Sequence, residues 1–305
     1  MRFGFHIPIT GGLNKVPSRA VERGCDTVQI FSRSPRLWRS RELKEDEVAL
    51  FRAGMAQAGI QPLVIHSQYL VNLASADASL WERSWRSLAE DFRRAEALGA
   101  QFVVSHPGSR GEGSLGEGIR RAAEAVSRAL NVGARHSAFV AEATSAKQAA
   151  APMLLENTAG GGSLLGGNFE ELAAIAEACG SPESVGLCLD TAHAYEAGHD
   201  IASKEGLEAV LSELDRLFGL DRVRVVHAND SATALGSRRD RHWDVGEGRI
   251  GEAGFRLILS HPRLRQLPFI METPTFELER DLRNMARIRR LASEVSPPAS
   301  SPRLR

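Results

Sequence analysis

Eight short apolar runs recur along the chain, at 2–7, 27–32, 62–67, 102–107, 152–157, 185–190, 223–228 and 269–273. Runs this apolar and β-branched suit strands of a parallel sheet covered on both faces. The intervening segments carry helical periodicity. In 81–98, Trp81, Trp85, Leu88, Phe92 and Ala95 recur at spacings of four and three. That predicts one buried helix face with Gly99 as C-cap, while Glu82, Arg83, Arg86, Glu90 and Arg94 form its solvated side. Asn168 with Glu171 predicts a capping box opening a helix that ends near Gly180, and Leu278, Leu282, Met285 and Leu291 stripe the last helix. Strand and helix alternate eight times, which predicts a single closed (β/α)8 TIM barrel with its active site at the C-terminal ends of the strands. No GxGxxG follows the first strand, and the glycine-rich run 160–167 lacks a following Lys, so it reads as a flexible loop rather than a phosphate cradle. The barrel is assigned to 1–294 and a disordered Pro/Ser tail to 295–305. The Ala-rich 137–151 is expected to be an extended helix or insertion at the N-terminal rim.

The strand ends share one chemistry. His6, His66, His106, Glu156, Asp190, His227 and Glu272 close seven of the eight runs, while only His136, His199 and His261 are scattered elsewhere. His193 lies three residues beyond Asp190, so a helical turn there puts both on one face. Asp240 and His242, two apart, point the same way in an extended loop. Leaving His6 aside, the potential ligands are His66, His106, Glu156, Asp190, His193, His227, Asp240, His242 and Glu272, more than one metal needs. His193, Asp240 and His242 form a plausible zinc set by ligand type. Glu156, Asp190, His227 and Glu272 suit a more highly charged cluster, in which a bridging carboxylate brings two metals close enough to activate one water. A multinuclear metal enzyme follows.

The 38 basic and 38 acidic residues cancel, so no global field draws the chain to a polyanion and any such site must be local. Arg33, Arg36, Arg39 and Arg41 with Trp38 follow the second strand, and Arg238, Arg239 and Arg241 surround Asp240. Arginines suit phosphates, and an aromatic wedge fills the gap of a missing base; a plain solvated surface is the other reading. Cys25, Cys179 and Cys188 are odd in number and widely spaced, which indicates core thiols and a reducing compartment. No signal peptide or run of roughly 18 apolar residues is present, so the cytoplasm is expected and no membrane partner.

The strings LLENTAGGGS (154–163), CLDTAHAYEAGHD (188–200), VVHANDSATALGSRRDRHWDVGEGRIG (225–251) and METP (271–274), with HSQYLVNLAS (66–75) upstream, resemble the endonuclease IV family of apurinic/apyrimidinic endonucleases. The likeness runs from about residue 3 to 292. It implies a (β/α)8 barrel with three zinc ions that hydrolyses the phosphodiester 5′ to abasic sites in duplex DNA, often repairing blocked 3′ ends, as a monomer. Carried over by motif, His66, His106 and Glu156 hold the first zinc; Glu156, Asp190, His227 and Glu272 the second; and His193, Asp240 and His242 the third. Glu156 or Glu272 orients or deprotonates the attacking water, and the motifs do not choose between them. Arg36 and Tyr69 map to residues that enter the duplex, and Arg241 belongs to the same face. Ser34 stands where the family usually has Asn, and Gly161 where it usually has Gln, departures that bear on DNA contacts rather than metals.

Two rivals use the same residues. A sugar isomerase or epimerase of the xylose isomerase type needs only Glu156, Asp190, His227 and Glu272, leaving the other five without a role. A lesion-binding protein without hydrolysis keeps the grip but not the chemistry.

Overall fold

A computed structural model describes residues 1–144 and 151–295. In chain order the strands are β1 (Arg2–His6), β2 (Thr27–Phe31), β3 (Leu63–His66), β4 (Phe102–Ser105), β5 (Met153–Glu156), β6 (Val185–Asp190), β7 (Val223–His227), β8 (Asp230–Ser231), β9 (His242–Trp243) and β10 (Pro268–Met271). The helices are α1 (Val16–Glu22), α2 (Glu45–Ala58), α3 (Ala78–Leu98), α4 (Leu115–Thr144), α5 (Phe169–Ala178), α6 (Thr191–Ala197), α7 (Lys204–Phe218), α8 (Gly251–Ser260) and α9 (Leu278–Val295). Eight parallel strands close the barrel in the order β1-β10-β7-β6-β5-β4-β3-β2. The expected (β/α)8 class is the one observed. The short antiparallel ribbon β8–β9 is an addition that the apolar-run pattern does not disclose.

Strand periodicity explains how the barrel builds its upper surface. Val64, Phe102, Val104, Leu154, Cys188, Val225 and Ile270 form a separate buried cluster, one or two from each of β3 to β7 and β10. Side chains two apart on a strand share a face. Val64 therefore leads to His66, Val104 to His106, Leu154 to Glu156, Cys188 to Asp190, Val225 to His227 and Ile270 to Glu272. An apolar plug thus carries a layer of nitrogen and oxygen donors on top of it. Gly4, two residues before His6, is needed for closure: a Cβ there would lie 1.7 Å from the Thr27 carbonyl oxygen.

The helices follow expectation with informative exceptions. Helix α3 starts at Ala78, earlier than its stripe suggested, because Asp77 caps it by accepting from the Leu80 N–H at 2.8 Å. Arg94, assigned to the solvated face, is only 2% exposed and donates through Nη2 to the Arg41 carbonyl at 2.8 Å. Asn168 does cap α5, accepting from Glu170 N–H at 2.9 Å, but Glu171 accepts from Gly166 N–H at 2.7 Å instead of returning to Asn168. In α9 Met285 and Leu291 are buried, whereas Leu278 and Leu282 are 39% and 43% exposed, and Ile288 takes the core position. Helix α4 extends through 137–144, as an extended helix would; 145–150 and the proposed tail from 296 lie outside the described residues, and Val295 ends α9. The three cysteines are free and buried, as read from their spacing. Among the described residues no helix is long and apolar enough to cross a membrane.

Arg33 is also displaced from its expected role. It is buried, its Nη2 lies 3.1 Å from Asp91 Oδ2, and it donates to Ser87, so it braces the β2 loop against α3 rather than facing a ligand in the metal cleft. Burial raises the Asp91 carboxyl from 3.8 to about 6, against the pull of Arg33 and the Ser32 hydroxyl. The folded state therefore holds this proton more tightly than the unfolded chain. The stability it contributes is present below the unfolded pKa and lost as pH rises through about 6. Asp91→Asn removes that titration. The stability of wild type relative to this variant should fall by roughly 2–3 kcal/mol between about pH 4 and pH 7. Denaturant melts at several pH values measure it, and a pH-independent difference contradicts it.

Candidate metal centre

Three groups of donors converge above the apolar plug. His66, His106 and Glu156 form one; Glu156, Asp190, His227 and Glu272 a second; Asp190, His193 and His242 a third; within each, ligand atoms lie within 4.8 Å of one another. Glu156 belongs to two groups because its oxygens face different ways. Oε2 lies 3.0 Å from His66 Nε2 and 3.6 Å from His106 Nε2, while Oε1 lies 2.9 Å from His227 Nδ1. His227 Nδ1 is also 3.4 Å from Glu272 Oε2 and 3.7 Å from Asp190 Oδ2. Asp240 joins from the far side: its oxygens stand 3.5 Å from His193 Nε2 and 3.6 Å from His242 Nε2, and those two nitrogens are 3.2 Å apart. All nine sequence-assigned donors meet. The difference is that Asp190 Oδ2, 3.6 Å from His242 Nε2, stands between the second and third groups.

The spacing suits zinc. Donors about 2.0–2.2 Å from a tetrahedral zinc stand roughly 3.3–3.6 Å from each other. The tautomers of four of the five rings agree as well, because each of these commits its other nitrogen to an acceptor, whereas His106 Nδ1 is buried without a partner. His66 Nδ1 donates to the Ser67 carbonyl at 2.7 Å, His193 Nδ1 to Asn157 O at 3.0 Å, His242 Nδ1 to Glu272 O at 3.3 Å and His227 Nε2 to Gln29 Oε1 at 2.8 Å. As metal ligands these rings would present their inward nitrogens as lone pairs. Burial alone would raise the Glu156 and Glu272 carboxyls, yet both are held well below the usual carboxylate range by protonatable imidazoles, His106 and His227 for Glu156 and His227 for Glu272. Asp240 drops to about 2, with burial outweighed by His193. The carboxylates are ionised and the cluster asks for positive charge.

A second layer holds these donors, and sequence reading passed over most of it. Gln29 donates to Glu272 Oε1 at 2.7 Å and to His6 Nδ1 at 3.0 Å while accepting from His227. Its only signal is an amide inside the apolar run TVQIF. Asn229 donates to Asp190 Oδ2 at 2.6 Å and accepts from the Glu272 N–H at 2.8 Å. Asn157 exchanges hydrogen bonds with the Asp190 backbone at 2.8 and 3.0 Å. His6, a strand-end candidate outside the assigned ligand sets, lies 3.4 Å from Glu272 Oε1.

Asp230, in the His227-to-Asp230 stretch, is not a ligand but a hub. Its carboxylate accepts the N–H groups of Ser231, Gly246, Gly248, Ile250 and Gly251 at 2.8 to 3.1 Å. It thereby fastens the loop after β9 beneath the ribbon that carries His242. Asp230→Asn sets an amide NH2 against backbone donors and should destabilise the fold by roughly 2–4 kcal/mol. Thermal melts would show it, and an unchanged midpoint would mean that the loop holds itself.

The cleft above the donors, about 470 Å³, is lined by Arg36, Tyr69 and Arg241 as well as by His106, His193, Asp240, His242 and Glu272. Tyr69 is 69% exposed at its mouth, its ring 5.0 Å from that of Phe31. Arg241 is exposed, its backbone N–H held by Glu196 Oε1 at 3.1 Å. Arg41 instead pairs with Glu47 at 2.6 Å. Gly161 abuts the Arg238 carbonyl, where a Cβ would come within 2.9 Å, and lies away from the metal cleft. Ser34 is exposed, with its carbonyl taken by Gln68.

Residues 17–292 match the family described as xylose isomerase-like TIM barrel. The probable endonuclease 4 of Halothermothrix orenii is 40% identical over 90% of this chain and 94% of its own, and that of Methanoculleus marisnigri 42% identical over 95% and 98%. The crystal structure of endonuclease IV from Thermus thermophilus superposes with a TM-score of 0.82 at 41% identity, covering 96% of this chain and all of that one. The chain belongs to the endonuclease IV family. A D-tagatose 3-epimerase-like protein, 17% identical with a TM-score of 0.72, shares the barrel fold alone.

Proposed function

We propose that this chain is a zinc-dependent endonuclease that hydrolyses the phosphodiester 5′ to abasic sites in duplex DNA, and that it also clears blocked 3′ ends. The observation that carries the reading is one connected set of nine donors beneath a cleft whose rim holds Arg36, Tyr69 and Arg241. His66, His106 and Glu156 would hold a first zinc, Glu156, Asp190, His227 and Glu272 a second, and His193, Asp240 and His242 a third, with Asp190 close enough to serve the third as well. Bound zinc would supply Lewis acidity toward the phosphate and lower the pKa of water near neutrality. Glu156, shared by two groups, sets their separation. Glu272, tied to Gln29 and Asn229, is the partly exposed carboxylate of the second group, whose Glu156 and Asp190 are buried. It orients the attacking water or takes its proton, with Glu156 as the other candidate. No side-chain nucleophile is needed.

The sugar isomerase reading would leave His66, His106, His193, Asp240 and His242 idle although they abut the quartet. The barrel, 1–294, acts as the catalytic unit, as a cytoplasmic monomer. A gel assay with an end-labelled abasic duplex tests the activity. Incision on the 5′ side leaving a 3′ hydroxyl supports it, and an intact strand with fully metal-loaded protein rejects it, including in favour of a binding-only protein.

Arg36→Ala and Tyr69→Ala leave every donor in place, so metal content should not change while binding to an abasic duplex weakens by roughly 1–3 kcal/mol each. The loss should be larger for the abasic duplex than for an undamaged one, because an intruding ring is repaid only where the stack is already broken. Equal losses would make the two residues general phosphate contacts.

A further inference from the structure

The loops after β1 and β2 enclose another cavity, about 360 Å³, that shares no lining residue with the metal cleft. Four arginines line it, Arg33, Arg39, Arg41 and Arg94, with three serines and no acidic residue. Three of these charges have partners outside the lining: Asp91 for Arg33, Glu47 for Arg41, and for Arg94 a Glu90 that also takes Arg93. Arg39 has no acidic partner among the described residues, so positive charge is in excess. More telling are the donors without acceptors: Arg94 Nη1 and Arg33 Nε are buried and make no hydrogen bond, while Arg94 Nε has only Glu90 Oε1 at 3.2 Å, an oxygen it shares with Arg93. Buried guanidinium N–H groups rarely stay unsatisfied, and a tetrahedral oxyanion offers both the acceptors and the charge that are missing.

The geometry points to an oxyanion seat between these two loops, built for a phosphate-class group and held chiefly by Arg39 and Arg94. The group is either a free ion or a phosphate of the nucleic-acid backbone. Because Arg94 Nη2 already grips the Arg41 carbonyl, an anion on Arg94 would also stiffen the loop between β2 and α2, which presents Arg36 to the metal cleft. The seat is argued without reference to the hydrolytic reaction.

Sulfate is the probe, titrated calorimetrically into metal-loaded full-length protein at constant ionic strength with chloride as balance. Arg39 is exposed and unpaired, so its replacement leaves the core and metal content untouched. Sulfate affinity should fall about tenfold in Arg39→Ala and become undetectable in Arg39→Glu. Equal sulfate binding by all three proteins, or none by wild type, overturns the seat. An undamaged duplex then separates the sources. If a backbone phosphate occupies the seat, sulfate competes with the duplex in wild type but not in Arg39→Glu, and the variant's log K against log salt slope shrinks by about one. Sulfate binding that depends on Arg39 with no such competition assigns the seat to a free oxyanion.

Discussion

Glu156→Gln is expected to lower turnover on abasic duplex by about a thousandfold or more while leaving DNA affinity within a few-fold. The substitution keeps shape and removes charge. Glu156 is fully buried, with one oxygen 2.9 Å from His227 and the other 3.0 Å from His66. Either orientation of Gln puts an NH2 group against a ring nitrogen that needs a Lewis acid. His66 and His227 have already spent their N–H groups on Ser67 and Gln29, so the amide would donate to the lone pair meant for a metal. Two groups lose their common anion at once. DNA contacts lie at the cleft rim and do not touch this carboxylate. Turnover within about tenfold of wild type, measured with the metal content of both proteins, would remove Glu156 from the bridging position.

Metal removal should be felt by the fold as well as by the chemistry. Glu156, Asp190 and Glu272 crowd one region of the barrel mouth, and only imidazoles and amides stand between them. Without a cation these carboxylates repel each other unless the buried imidazoles beside them take up protons, and their acidic neighbours do push His193 and His227 up against burial. Each site with metal at about a thousandfold over its Kd adds about 4 kcal/mol to the folded state. Exhaustive chelation should therefore abolish incision and lower Tm by on the order of 10 °C or more, with both restored by zinc. Retained activity in metal-free protein would end the proposed mechanism, and a lost activity with an unchanged Tm would show donors already fixed by the second layer.

The barrel and its donor layer were legible because both obey one rule. A strand's last inward residue sits two beyond an apolar plug residue, so the same periodicity that predicts the sheet marks His66, Glu156, Asp190 and His227. What escaped follows from contacts between distant segments. The ribbon of Asp230–Ser231 with His242–Trp243 is too short to leave a periodic trace, and its anchor is a carboxylate collecting backbone N–H groups. Arg33 and Arg94 read as surface because an arginine's burial depends on partners far along the chain. Gln29 was visible as an amide in an apolar strand, but its role appears only when β7 and β10 bring His227 and Glu272 to it. Leu278 and Leu282 show that apolar spacing alone cannot tell which side of a helix meets the barrel.

The number and place of the metals test the central claim most directly. Crystals of zinc-loaded protein, measured on both sides of the zinc absorption edge, should give three anomalous peaks per chain: beside His66 and His106, within Glu156, Asp190, His227 and Glu272, and between His193, Asp240 and His242. A single peak within the four-residue group, with the remaining histidines hydrogen-bonded only to protein, would contradict the account and favour a sugar isomerase.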